Sequence, residues 1–319
     1  MQEDLLASFK RLEDHLNANV LGQPDLVASL ILALLCDGHV LVEGAPGLAK
    51  TRAVKALAGA IQASFHRIQF TPDLLPADLT GTDVLRQETG EFEFRSGPLF
   101  HNVLLADEVN RAPAKVQSAL LEAMGERQIT VGVNTYPLPE LFLVMATQNP
   151  IEHEGTHPLP EAQLDRFMLH VKVGYPSAEA EQAVMQLVRA QTGSPDGTPL
   201  IDVATVRAAR QAVAGTYMAP ELERYIVELV RATRAPESVD PELTGQVLLG
   251  ASPRASLAFD AGARACAWMR GGEFVSPDDI HEVAHEVLRH RIVLSHSAHA
   301  AAVDVDDLVT RLLERVAIP

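Results

Sequence analysis

The chain is short of cysteine, of positive charge and of long apolar runs, and each shortage removes a class of function. Only two cysteines occur in 319 residues, Cys36 and Cys266. They lie far apart and lack the paired spacing of a zinc knuckle or a disulfide framework, so they read as small buried hydrophobes. Lysine and arginine total 26 against 42 acidic residues, a formal charge of −16. Such a surface repels phosphate backbones, and no nucleic-acid partner is expected. The longest apolar run, Leu26 to Cys36, is interrupted by Ser29 and is about half the ~20 residues a membrane span needs. The opening MQEDLLASFKRLEDHLNANV spaces its apolar positions as a helix does and lacks the basic start and apolar core of a signal peptide. The expectation is a cytoplasmic protein with no membrane span. No internal repeat, low-complexity tract or long charge run is found.

What is there is the composition of a folded protein, 47% hydrophobic and 21% charged, at a length sufficient for two domains. From Val40 to Val173 short β-rich runs alternate with helical stretches: VLVEG, a helix from Lys50, SFHRIQF, NVLLADE, a helix over Ala114 to Met124, and LFLVMATQN. Apolar strands separated by helices predict a parallel α/β sheet. After Tyr175 alanine-rich amphipathic segments take over, broken near Gly193 to Pro199 and Ala235 to Pro241. The predicted division is an α/β domain over 1–175 and an all-helical domain over 176–319. Two hairpin-like segments interrupt the first domain, one turning at Thr89-Gly90 and one around Gly132 and Asn134.

The strand VLVEG runs into Gly44-Ala45-Pro46-Gly47-Leu48-Ala49-Lys50-Thr51. This fits G-x-x-x-x-G-K-[ST] except for alanine in place of the second glycine. Strand, loop and helix follow in the order that a phosphate loop requires. Backbone N–H groups and the helix N-terminus face the phosphates, Lys50 reaches the β and γ groups, and the Thr51 hydroxyl ligates magnesium. Ala49 is expected to begin the helix at negative φ, where alanine costs little. Arg52, next in line, belongs to the same candidate nucleotide site.

Asn102 to Glu108 is an apolar strand that ends in two adjacent carboxylates. Acids there are expensive unless a cation or a reacting group uses them. Asp107 is assigned to the magnesium shell, through water, and Glu108 to polarising the attacking water; the bland alternative is a helix cap or solvated turn. LFLVMATQN delivers Thr147, Gln148 and Asn149 to the sheet edge where open α/β folds bind ligands. Asn149 is a candidate to hold the water or touch the γ-phosphate, or else opens an ordinary loop. Arg166 ends a short helix in LPEAQLDRF and has Asp165 or Glu161 as alternative surface partners. Ser252-Pro253-Arg254 reads as N-cap and first two helical residues. A cation there opposes the helix dipole by roughly 0.3–1 kcal/mol, so a nearby anion is expected: ATP phosphate in this reading, with a local carboxylate as the bland alternative.

GAPGLAKT, LLADEVNRAPAKVQSALLEAMGERQIT, ATQNP, LPEAQLDRF, GASPRA and VLRHRI together resemble the signature blocks of the MoxR family of AAA+ ATPases over about residues 19 to 294. The departure at Ala49 is part of that resemblance. It implies a P-loop AAA+ core with a helical lid, and ATP and magnesium as cofactors. By position it implies Lys50 and Thr51 as Walker A, Asp107 and Glu108 as Walker B, Asn149 as sensor 1, Arg166 as arginine finger and Arg254 as sensor 2. Leu21 and Gly22 fall where the family lines its adenine pocket. A helix-2 insert is implied at 71–98 and a pre-sensor hairpin at 128–139. The partners implied are further copies in a hexameric ring, a von Willebrand A domain protein and a client enzyme.

His281-Glu282-Val283-Ala284-His285 matches H-E-x-x-H, the pattern of two zinc-binding imidazoles on one helical face. A metzincin continuation needs glycine at 288 and histidine at 291, where Leu288 and Arg291 stand. These histidines are expected on the surface of an alanine-rich helix. The function expected is an ATPase chaperone or remodeller for maturing or loading a partner; the alternative is a nucleotide-dependent scaffold, which has no use for Glu108, Asn149 and Arg166.

Overall fold

The structure is a computed structural model that describes residues 2–45, 47–88, 90–149, 156–190 and 199–319. Pro46, Thr89 and residues 191–198, part of the expected break after the first domain, lie outside the described residues.

Helices α1 (Gln2–Asn19) and α2 (Pro24–Leu35) precede strand β1 (Val40–Gly44). Then come α3 (Lys50–Ala60), β2 (Phe65–Gln69), α4 (Pro76–Thr80), β3 (Gly81–Leu85) and β4 (Phe92–Ser96). Strand β5 (Val103–Asp107) leads through a 3₁₀ turn to α5 (Ala114–Glu126), β6 (Gln128–Val131), β7 (Asn134–Pro137) and β8 (Leu143–Gln148). The α/β part closes with α6 (Glu161–Leu164) and β9 (Leu169–Val173).

Strands β2, β5, β8, β1 and β9, in that spatial order, form one parallel five-stranded sheet. Successive side chains of a strand point to opposite faces, and here both faces are apolar. Val40, Val42, Val103, Leu105, Leu143 and Met145 pack on α1, α2 and α3. Leu41, Leu104, Ala106, Val144 and Ala146 pack on α5 through Val116, Leu120 and Leu121. This double burial is why the strands read as continuous apolar runs rather than alternating ones. The two predicted hairpins are present as antiparallel pairs, β3 with β4 and β6 with β7, outside the sheet.

The C-terminal part contains α7 (Ala178–Ala190), α8 (Val203–Ala214), α9 (Pro220–Ala232), β10 (Val247–Leu249) and α10 (Pro253–Arg270). After these follow α11 (Pro277–Glu282), α12 (Ala284–Leu288), β11 (Val293–Leu294), α13 (His296–Ala300) and α14 (Val305–Arg315). Helices α9, α10, α12 and α14 enclose a separate core around Tyr225, Phe259, Val287 and Leu312, with β10 and β11 paired as a small ribbon. The two parts meet along an apolar seam. Val206 and Val213 of α8 and Trp268 of α10 join the cluster of α1 to α3, where Phe9 meets Trp268 edge to face at 5.5 Å. A parallel sheet flanked by helices and followed by a helical lid is therefore the architecture, as the sequence predicts. Among the described residues no helix is long and apolar enough to cross a membrane.

Candidate functional site

The carboxyl ends of β1, β5 and β8 lie side by side, and the loop after each contributes to one cavity of about 360 Å³. Gly47 to Arg52, Asp107, Glu108 and Asn149 line it, joined by Arg67, Gln69 and Thr147. Three segments spread between Gly47 and Asn149 are thus brought together by strand order. Gly47 has φ +86°, and a Cβ there would meet nothing within 4 Å. Its glycine answers a backbone demand rather than a steric one.

Ala49 corrects the sequence reading. It precedes the helix instead of beginning it, with φ 58° and ψ 8°, in the left-handed region. An L-residue pays roughly 1–2 kcal/mol for that conformation. The chain must turn sharply out of the loop for α3 to start at Lys50, and the strain sits where glycine is usual in this motif. Glu108 is held in the same way, at φ 56° and ψ 49°. Its N–H donates to Thr147 Oγ1 at 2.9 Å, and the same hydroxyl donates to Asp107 Oδ1 at 2.6 Å. One threonine on β8 therefore sets the orientation of both acids. Left-handed non-glycine residues concentrate at working sites because surrounding structure must over-determine them.

The charges of the site are engaged with one another. Lys50 Nζ donates to Gly44 O at 2.7 Å. Burial pulls the Lys50 ammonium below the usual lysine range, against the opposing pull of Asp107 and Glu108. Arg67 donates to Asp107 Oδ2 through Nη2 at 2.6 Å and Nε at 3.1 Å. Gln69 Nε2 donates to Glu108 Oε2 at 2.7 Å, and Arg111 Nη1 reaches the same oxygen at 2.9 Å. The sequence reading missed Arg67, Gln69 and Arg111. The signal for the first two was the alternation in FHRIQ, which puts Arg67 and Gln69 on one face of β2. The register Gln69 to Asp107, which carries that face to the acids, is fixed only by the pairing of β2 with β5.

Other predicted positions lie elsewhere. Leu21 and Gly22 do not line the cavity; a Cβ on Gly22 would sit 2.8 Å from Pro176 Cβ, and Gln23 Nε2 donates to Gly174 O at 2.9 Å, so this segment is packed on the chain that leaves β9. Gly44 and Ala45 enter the loop just before the lining residues, and Pro46 lies outside the described residues. Arg166 also stands apart from the cavity. Its Nη1 donates to Leu121 O at 2.8 Å against Gly125, in a recess with Glu122 and Glu126. Ser252 caps α10 by accepting from Arg254 N at 3.0 Å, with Pro253 first in the helix as predicted. Asp165 Oδ2 stands 4.0 Å from Arg254 Nε, and Arg254 is not among the residues that line the cavity.

The H-E-x-x-H segment is not one helix. It breaks at Val283 between α11 and α12, and its imidazoles go separate ways: His281 Nε2 pairs with Tyr225 Oη at 2.6 Å and His285 Nε2 with Thr310 Oγ1 at 3.0 Å. Both are half-buried rather than on the surface as expected, because each packs against a neighbouring helix. Among the described residues no group of three or more His, Cys, Asp or Glu could hold a metal ion.

Comparison with known proteins agrees with this geometry. The profile of the ATPase family associated with various cellular activities (AAA) matches residues 39–169, and that of the AAA lid domain matches residues 244–312. Chaperone MoxR1 of Mycobacterium tuberculosis is 47% identical over 94% of this chain and 79% of its own length. Protein MoxR of Paracoccus denitrificans is 34% identical over 92% of this chain and 90% of its own. A crystal structure of a candidate ATPase from Cytophaga hutchinsonii superposes with a TM-score of 0.94 at 43% identity, covering 100% of this chain and 97% of that one. With the phosphate loop, the acid pair and the lid in place, the chain belongs to the MoxR family of AAA+ ATPases, and the reaction of its site is ATP hydrolysis.

Proposed function

We propose that the protein works as a ring of six copies in which each ATP is bound by one subunit and completed by the next, and that turnover remodels a partner protein. Within one subunit the loop from Gly44 to Thr51 and the Lys50 ammonium hold the phosphates. Glu108 accepts the proton of the attacking water, which Asn149 orients. Both must first be free to do so, and Gln69 and Arg111 now occupy the Glu108 oxygen. The Thr51 hydroxyl and the Asp107 carboxylate are hard oxygen donors lining one cavity, the chemistry that magnesium takes. Bound there, with Asp107 acting through water, it would neutralise charge on the β and γ phosphates.

The observation that carries the ring is the place of Arg166. A finger on another face, bonded to Leu121 O and absent from the lining of its own cavity, suits a neighbour's ATP. An arginine supplied from outside is worth roughly 10³–10⁵ in turnover. The two hairpins supply a surface for a partner. Phe94 of β4 stacks on Tyr136 of β7 at 4.0 Å, making them one unit, while Phe92 and Val133 stand 72% and 96% exposed. Kinship with a protein named as a chaperone supports action on a partner protein; the partners this reading names are a client enzyme to be matured or loaded and a von Willebrand A domain protein.

The test mixes two dead variants. Arg166→Ala keeps a pocket and lacks the finger; Lys50→Ala keeps the finger and lacks a working pocket. Mixed rings contain junctions with both, so activity should return. Mixed rings, verified by native mass spectrometry, that stay at background refute the shared site.

A further inference from the structure

The loop that carries Arg166 is held from the lid by one buried cation. The Arg291 side chain is 2% exposed, and its Nε donates to Asp165 Oδ1 at 2.8 Å. Its Nη2 donates to Phe167 O at 2.6 Å and Asp165 O at 3.4 Å, and its Nη1 to Met168 O at 3.1 Å and to Val287 O. The guanidinium thus spends its donors on the residues on both sides of Arg166 and on the preceding helix α12. His290 Nε2 adds a bond to Phe167 O at 3.0 Å. The second Asp165 oxygen accepts from Ser252 Oγ at 2.7 Å, the cap of α10, and faces Arg254 Nε at 4.0 Å. One carboxylate therefore joins the Arg166 loop, the start of the helix that bears Arg254, and the segment after α12.

A buried ion pair is weak as a source of stability, because apolar residues of like volume would do as well or better. What it specifies is geometry. A planar fork with fixed donor directions defines position in a way that a flexible ammonium cannot. Resting on the shared-site reading above, we propose that Arg291, acting through Asp165, is a positioning residue for Arg166: it locks the finger loop to the lid so that the two move as one body toward the neighbouring ATP. Arg254 travels in the same unit. Displacement of the finger by about 1 Å is enough to cost on the order of 10²-fold in rate.

The experiment uses the full chain with Arg291→Lys, which keeps the charge and loses the fork. Its own pocket is untouched, so affinity for a fluorescent ATP analogue should stay within about twofold of wild type while kcat falls about 10²-fold. Mixing it with Lys50→Ala should restore activity, as mixing Arg166→Ala with Lys50→Ala does. A role confined to folding would weaken nucleotide binding as well and would not be relieved by mixing. If the Arg166→Ala mixture itself fails, the shared site is wrong. If that mixture recovers and the Arg291→Lys mixture does not, or if Arg291→Lys alone is as active as wild type, the positioning role is wrong. Should Arg291→Lys melt well below wild type, Asp165→Asn, which keeps the shape of the link, is judged by the same criteria. Loss of folding in both variants assigns the pair a structural role and overturns the inference.

Discussion

Replacing Ala49 by glycine separates two conformations of the phosphate loop by the size and direction of a stability change. Left-handed φ of 58° at this alanine stores roughly 1–2 kcal/mol that glycine would release. Against it stand about 0.4–1 kcal/mol from the greater freedom of glycine in the unfolded chain and about 0.4 kcal/mol for losing a methyl only partly packed on the core. The net expectation runs from about 0.4 kcal/mol of destabilisation to about 1.2 kcal/mol of stabilisation. Were Ala49 the first residue of the helix, nothing would be released, and glycine would cost about 0.8–1.0 kcal/mol from helix propensity plus the same packing loss, more than 1 kcal/mol in all. Urea unfolding of the nucleotide-free protein, with the slope checked for constancy, resolves that difference. A midpoint lowered by the equivalent of 1 kcal/mol or more refutes the strained loop. ATP affinity should hold or improve, because the backbone that glycine prefers is the one already adopted.

Three further outcomes follow from particular contacts. Burial drives the His39 imidazole down to about 3; neutral, it accepts from Val144 N at 3.1 Å through Nδ1. The folded state thus resists a proton that the unfolded chain takes up at about 6.5, so its contribution is full above pH 6.5 and is lost as pH falls toward 3, by at most about 1.4 kcal/mol per pH unit. Unfolding free energies of His39→Gln should fall less steeply over that range than those of wild type; equal slopes would count against the neutral imidazole. Next, His281→Ala with His285→Ala should leave ATP turnover near wild type and the purified protein without stoichiometric zinc, and one zinc per chain by elemental analysis, lost in the double variant, would reverse this. Finally, Arg67→Ala removes a half-exposed partner of Asp107, a pair worth at most about 1 kcal/mol. The magnesium concentration at half-maximal binding of a fluorescent nucleotide should drop by up to about fivefold, and an unchanged or raised requirement would show that Arg67 does not compete for that carboxylate.

The sequence by itself determined the chemistry and the order of its carriers. GAPGLAKT after VLVEG, the acid pair at the end of NVLLADE and the polar end of LFLVMATQN are local patterns, because an apolar run names a buried strand and the residue just beyond its carboxyl end is where an open sheet binds ligands. The helix cap at Ser252 is local in the same sense. Tertiary structure decided what depends on pairing across the chain. That Gln69 lies beside Asp107 is a matter of register between β2 and β5, and a one-residue slip would have turned Arg67 and Gln69 away from the acids. That Asp165 answers to Arg291 and Ser252 rather than to Arg166 required the lid to fold back on the sheet. The φ of Ala49 and of Glu108 also lay beyond reach, since alanine and glutamate prefer the helical region and only the surrounding contacts, Thr147 above all, hold the chain outside it.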